Sequence, residues 1–310
     1  MSILFTFPGQ GSQRTGMLHA LPDDPAVAAT LHEAGSVLGL DPLALDMEAA
    51  LASTRAVQLC LLIAGVAMAR SLAVQGGEPD MVAGFSIGEY PAAVVAGALD
   101  YADALWLVAL RGQLMEDAYP GGYGMAAIVG LEQAPLAALV AQVHSDGSPV
   151  YIANLNARRQ IVIAGSDTAL QRVTALALEH GASKVQRLAV NVPSHCPLFD
   201  AQAQEMAAAF AQVRVRRPVL TYLSSSAARS LSDPARIRDS LATNMARQVN
   251  WADTVRLAWE RGARLALEMP SGSVLTRLTA PELADGLAIS CEGQRSDSLL
   301  AMLAEARRTP

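Results

Sequence analysis

The chain is short of cysteine, histidine, net charge and long apolar runs, and each shortage removes a class of function. Three cysteines in 310 residues, Cys60, Cys196 and Cys291, are odd in number and show no Cys-x-x-Cys spacing. That excludes a disulfide framework and a zinc knuckle, so no metal site is expected. Lysine plus arginine number 23 against 29 aspartate plus glutamate, a net charge of −6, and without a basic surplus no nucleic-acid partner is expected. The longest uninterrupted apolar run, Leu59 to Ala69, stops at Gln58 and Arg70. It is well short of the ~18 residues of a membrane span, so no membrane partner is expected either. Met1 to Pro8 lacks a basic region followed by an apolar stretch and a cleavage site, which makes the cytoplasm the expected compartment. What remains can build a core. With 52% hydrophobic residues and a mean hydropathy of +0.27 the chain is too apolar for disorder. At about 150 residues per domain its length suits two domains, or one large domain with an insertion.

The pattern of elements favours the insertion. A β-type run from Ile3 to Phe7 ends in the turn-rich Pro8-Gly9-Gln10-Gly11-Ser12-Gln13. Thr54 to Gln75 reads as a long buried helix, and Met81-Val82-Ala83 is a minimal strand running into Gly84. Two Ala- and Leu-rich helices follow, Glu89 to about Gly97 and Tyr101 to Asp117, with Pro91 tolerated in a first turn. At Gly121-Gly122-Tyr123-Gly124 the pattern changes to shorter elements, β-α-β-β-α-β in order, which is a ferredoxin-like arrangement. Helical patterns return after Asn191, at Phe199–Gln212 and Trp251–Arg261, before strands at Arg264–Glu268 and Leu287–Ser290. Ser224-Ser225-Ser226 reads as a polar turn. The expected fold class is α/β: a large domain over 1–122 and 192–310, interrupted by a small α+β domain over 123–191.

Gly84-Phe85-Ser86-Ile87-Gly88 has Gly-x-Ser-x-Gly spacing between a strand and a helix, the pattern of a nucleophile elbow. The Ile87 N–H at the helix start could face a developing oxyanion. The bland alternative is a turn with a capping serine. A serine nucleophile needs a base, and there are five histidines: His19, His32, His144, His180 and His195. His19 and His32 fall in surface helices, His144 in a polar segment, and His180 at a helix end where a cation suits the dipole. His195 sits between Pro193 and Pro197 at the return to the large domain, a rigid loop suited to function. Arg111 lies 25 residues after Ser86 on an apolar helix, where it either snorkels to solvent or offers its fork to a carboxylate. Arg214, Arg216 and Arg217 form a basic cluster that reads as a solvated face or as a surface for an acidic partner.

Taken together, Phe7-Pro8-Gly9-Gln10-Gly11-Ser12-Gln13, Gly84-Phe85-Ser86-Ile87-Gly88-Glu89-Tyr90, Arg111-Gly112, Val192-Pro193-Ser194-His195 and Val274-Leu275-Thr276 resemble the malonyl-CoA:acyl-carrier-protein transacylases. The resemblance covers nearly the whole chain in order. It implies an α/β-hydrolase-like large domain with a parallel sheet and Ser86 as nucleophile with His195 as base. It also implies Arg111 as anchor for the malonyl carboxylate and the Gln10 and Ile87 amides as oxyanion hole. The partners implied are malonyl-CoA and the phosphopantetheine-type thiol of an acyl carrier protein, with no resident cofactor. The chain departs from the family at several positions. Phe85 replaces a histidine, Asn250 a glutamine that orients the base, and Leu59 a proline after Gln58, while Pro270-Ser271-Gly272 stands for Gly-Pro-Gly. These departures look most like the branch that serves malonate decarboxylase as its epsilon subunit, and the alternative is the transacylase of fatty-acid or polyketide synthesis. From other classes, a serine thioesterase or a non-catalytic carrier-docking subunit would use the same frame.

Overall fold

The computed structural model describes residues 1–308. The chain begins with β1 (Ser2–Phe7), α1 (Pro25–Leu38), α2 (Thr54–Ala73), β2 (Met81–Gly84), α3 (Glu89–Val95) and α4 (Tyr101–Ala118). Then come β3 (Tyr123–Val129), α5 (Gln133–Val143), β4 (Val150–Ala157), β5 (Gln160–Ser166), α6 (Asp167–Glu179) and β6 (Lys184–Arg187). The returning chain forms α7 (Asp200–Phe210), β7 (Thr221–Ser224), β8 (Arg229–Leu231), α8 (Pro234–Thr243) and β9 (Val249–Asn250). It ends with α9 (Trp251–Glu260), β10 (Ala263–Glu268), α10 (Val274–Thr279), β11 (Leu287–Ser290) and α11 (Ser296–Arg308).

These elements give a mixed α/β fold with two sheets. The first has the order β11-β10-β1-β2-β7-β8, parallel except for β8, which runs antiparallel to β7. A parallel sheet is covered on both faces, and β1 shows how a continuous apolar run serves it. Ile3, Phe5 and Phe7 face one core with the α2 side chains, while Leu4 faces another with Trp251 and Val255 of α9. The helix α2 starts at the Ser53 N-cap and is apolar and long enough, at 20 residues, to cross a membrane, a capacity the run from Leu59 to Ala69 did not suggest. Seventeen of its 20 residues are buried, so it is the core helix of the fold. The Asp24 cap and Pro25 start α1, and Gly39 at φ +67° closes it.

The second sheet has the order β6-β3-β5-β4-β9. Its first four strands are mutually antiparallel neighbours and come from 123–187 in the β-α-β-β-α-β sequence order, around a core that includes Ile128, Leu136, Ile163 and Val173. The fifth strand, β9, comes from the returning chain and pairs parallel with β4, which the sequence pattern did not suggest. Ser224, expected in a polar turn, ends β7 instead. For function the decisive feature is that Phe7 and Gly84 are register partners at the carboxyl ends of adjacent parallel strands. The Pro8–Gln13 loop and the Ser86 turn therefore leave the sheet side by side, where ligands bind in open parallel sheets.

Candidate active site

Two glycines leave the Ser86 turn no slack. A Cβ on Gly88 would lie 2.0 Å from the Phe7 carbonyl oxygen, and one on Gly84 would lie 2.1 Å from the backbone of Gly88 and Glu89. The turn is thus pressed onto the end of β1, and Ser86 takes a left-handed φ of +58°. Such a conformation costs about 1–3 kcal/mol outside glycine and persists where packing enforces it. Gly9 approaches from the other side: a Cβ there would lie 2.8 Å from the Phe85 carbonyl oxygen. This brings Gln10 against the turn, and Gln10, Ser86 and Ile87 line one cavity of about 400 Å³. Arg111, His195 and Gln58 line it too, facing Asn154, Asn156 and Gln160 of the second sheet.

His195, also left-handed at φ +65°, is fixed by its N–H donating to the Met245 carbonyl at 2.7 Å. Its Nε2 lies 2.7 Å from Ser86 Oγ, and its Nδ1 lies 2.8 Å from the Asn244 carbonyl oxygen and 3.1 Å from that of Arg247. A carbonyl oxygen only accepts, so Nδ1 carries the proton and Nε2 is left to accept from the serine hydroxyl. Burial, with the Arg111 charge second, holds the imidazole down to about 4, so at neutral pH it is the neutral form that could take up a proton. Asn250 does not take part. Its side-chain amide donates to the Ser226 carbonyl at 3.2 Å and the Gln248 carbonyl at 3.4 Å. The expectation that it orients the base is corrected: backbone carbonyls of the turn before β9 do so.

Arg111 does not snorkel. It is 1% exposed, donates through Nη1 to Gln58 Oε1 at 2.8 Å and through Nη2 to Asn244 Oδ1 at 3.1 Å, and its Nη2 lies 3.5 Å from Ser86 Oγ. Its Nε has no hydrogen-bond partner, and no carboxylate is paired with it among the described residues. Burial lowers its pKa, yet a guanidinium stays charged in proteins, so the cavity holds a cation whose hydrogen-bond partners are all neutral oxygens. Two members of this arrangement were missed from the sequence. Gln58 is a lone amide inside an apolar helix, a signal that was visible. Asn244 had none: its Nδ2 donates to the Ser86 carbonyl at 3.1 Å from 158 residues away.

The remaining candidates lie elsewhere. His19 sits in a turn rather than a helix, its ring on buried Asp46 at 3.0 Å, and His144 and His180 bond the Val150 and Leu176 carbonyls. The Cys196 thiol contacts the Pro193 carbonyl oxygen at 3.1 Å, and burial pushes it up to about 12, so it is no thiolate. Arg216 forks onto Asp100 at 2.6 and 2.8 Å. Phe85 packs edge-on to Trp251 with ring centroids 5.6 Å apart. Among the described residues no cluster of three or more His, Cys, Asp or Glu side chains could hold a metal ion.

A serine on a strained turn, a neutral imidazole at 2.7 Å and a nearby buried cation are suited to acyl transfer on an anionic substrate. A family model described as an acyl transferase domain matches residues 4–292. The chain belongs to this acyl transferase family. It is 38% identical over 281 residues to the malonyl CoA-acyl carrier protein transacylase of Salmonella typhimurium, covering 89% of this chain and 91% of the relative. The solved structure of FabD from Acinetobacter baumannii superposes with a TM-score of 0.93 at 36% identity, covering 98% of this chain and 99% of the other. A type II PKS acyl-carrier protein in complex with its malonyl-transacylase gives a TM-score of 0.91 at 34% identity over 99% of this chain and 100% of the other. This acyl transferase is therefore an enzyme of acyl transfer, and none of these three relatives carries a malonate decarboxylase name.

Proposed function

We propose that the enzyme moves a malonyl group from malonyl-CoA to the prosthetic-group thiol of an acyl carrier protein, through a malonyl ester on Ser86. The observation that carries this reading is Arg111, a buried guanidinium with an unpartnered Nε, within 3.5 Å of the serine oxygen. A carboxylate on the acyl group would supply the anion that the cavity lacks, and an acetyl group would not.

In the first half-reaction His195 Nε2 takes the Ser86 proton as Oγ attacks the thioester carbonyl. The Gln10 and Ile87 amides receive the developing oxyanion, with donors of this kind contributing about 3 kcal/mol each in serine enzymes. The C–S bond then breaks, the imidazolium returns the proton to sulfur, and CoA leaves as a thiol. In the second half, the carrier's thiol enters, gives its proton to His195 and attacks the ester, and the proton passes to Ser86 Oγ as the malonyl thioester departs. Every step is a proton or acyl transfer, so the reading calls for no metal or redox cofactor.

The relatives' names support a carrier protein of fatty-acid or polyketide synthesis as acceptor. A second reading, priming of a malonate decarboxylase carrier, rests on the departures at Leu59, Phe85, Asn250 and Pro270-Ser271-Gly272. Both readings belong to a cytoplasmic enzyme, consistent with three unpaired cysteines. The division at 122 and 191 belongs to the same proposal, supported by the four antiparallel strands within 123–187. The test is intact-protein mass spectrometry after brief mixing with malonyl-CoA, in wild type and Ser86→Ala, followed by a chase with each kind of carrier. A malonyl adduct confined to wild type and discharged by a carrier thiol is expected, and the faster carrier distinguishes the two settings. Discharge by water alone would instead indicate a hydrolase. No adduct with any acyl-CoA would indicate a docking subunit.

A further inference from the structure

Glu89 follows the Ser86 turn directly, opens α3 and has no exposed surface, yet the chemistry above gives it no task. Five donors converge on it. Oε1 accepts from the Ser225 N–H at 2.9 Å, the Ser225 hydroxyl at 2.7 Å and the Ser226 N–H at 3.1 Å. Oε2 accepts from the Tyr222 hydroxyl at 3.2 Å and the Ser240 hydroxyl at 3.3 Å. A buried carboxylate that makes no salt bridge is tolerated only when hydrogen bonds fill its lone pairs, and five donors do so. A glutamine in its place would turn an NH2 group toward some of these donors.

The donors sit on the frame of the base. Ser240 belongs to α8, which runs directly into the turn of Asn244. Ser225 uses its carbonyl to accept the Asn250 N–H at 2.8 Å. The Glu89 carboxylate therefore holds the 240–250 segment at both ends, directly at Ser240 and through Ser225 at Asn250. Between those ends lie the Asn244 and Arg247 carbonyls that receive His195 Nδ1. Tyr90, the next residue of α3, adds a tie from its hydroxyl to the Leu241 carbonyl at 3.0 Å. Ser86 lies three residues before Glu89, so nucleophile and base are both referenced to one carboxylate.

We propose that Glu89 is a positioning residue, which sets the alignment of Ser86 with His195 by clamping both ends of the segment that orients His195. It acts through its neighbours and touches no reacting atom. The proposal rests on Ser86 and His195 as nucleophile and base, and is independent of which acyl group is transferred.

The test is Glu89→Gln, read by the rate at which a fluorophosphonate probe labels Ser86, beside steady-state kcat and KM with malonyl-CoA. A misplacement of about 1 Å costs on the order of a hundredfold in rate, so labelling and kcat should both fall by roughly tenfold to a hundredfold while KM is unchanged. Because Glu89→Gln introduces a donor into a buried cluster, the double variant Tyr222→Phe, Ser240→Ala serves as a second probe. It removes both donors to Oε2, should keep a cooperative thermal transition, and should lower the same two rates by a smaller factor. Wild-type labelling rates in either folded variant, or a loss confined to KM, would overturn the proposal. Failure of wild-type Ser86 to react with the probe would overturn the nucleophile reading and this role with it. Labelling without malonyl transfer would overturn the malonyl reading alone.

Discussion

If the proposed malonyl transfer holds, Arg111→Ala should separate recognition of the acyl group from the chemistry at Ser86. The wild-type guanidinium uses one N–H on Gln58 and one on Asn244, has an unpartnered Nε, and approaches the serine oxygen only at 3.5 Å. At least two of its five donors are open, enough for a forked pair with a carboxylate. Removing one partner of a buried ion pair costs about 3–5 kcal/mol. At about 1.4 kcal/mol per tenfold, kcat/KM for malonyl-CoA should fall by about two to three and a half orders of magnitude. An acetyl donor forms no such pair, and its reaction should change by less than about tenfold, since nothing charged is lost from its transition state. Rapid-quench mass spectrometry of the Ser86 adduct, with malonyl-CoA and acetyl-CoA in parallel, gives both rates. Arg111→Lys keeps the charge without the fork and should fall between. Equal losses for the two donors would refute the reasoning, and would mean that Arg111 serves only to brace Gln58 and Asn244.

Other outcomes follow from the same geometry. With His195 held at about 4, the acylation rate should climb through about pH 4 and stay level across neutrality, and a limb at the ordinary histidine value of 6.5 would contradict the buried site. The unfolded chain protonates this histidine below 6.5 and the folded chain only below about 4, so its contribution to stability falls as pH drops through that window. Denaturant titrations should show a shallower pH slope there in His195→Gln. Gly88→Ala would drive a Cβ to 2.0 Å from the Phe7 carbonyl oxygen, and it should lose on the order of 3 kcal/mol in chemical denaturation. A wild-type midpoint would show that the turn has slack after all. Asn244→Ala removes the bond to the Ser86 carbonyl and an acceptor from Arg111, and should lower kcat/KM by about tenfold or more, while Asn250→Ala should stay within about threefold. Similar losses in both would return Asn250 to the site.

The sequence exposed those parts of the site whose physics is local. Glycines at 84 and 88 mark a turn with no room for side chains, and the prolines around His195 mark a stiff loop, so pattern and elimination single out the two side chains that the structure brings within 2.7 Å of each other. The long helices were legible from their periodicity, and β11 fell on its expected bounds. The stretch between α7 and α9 was not, because β7, β8 and β9 are two to four residues long and gain their identity from partners far away. That stretch carries the acceptors for His195 and the serines around Glu89. Three serines in a row look like solvent-facing polarity, and nothing local reveals that Ser225 is fully buried against a carboxylate 136 residues earlier.

The third partner of the Ser86–His195 pair is main chain, and this makes it invisible to ordinary mutagenesis. Exchanging the Asn244 or Arg247 side chain leaves the carbonyl in place, so the loss expected of Asn244→Ala reports its amide contacts to Ser86 and Arg111 and not the acceptor of Nδ1. Drift at Arg247 is correspondingly cheap, provided that the turn keeps its path, and a relative could differ there without losing its base. Only a change to the backbone itself would expose the partner. An ester in place of the amide between Asn244 and Met245 would weaken the carbonyl as an acceptor for Nδ1 and leave every side chain as it is.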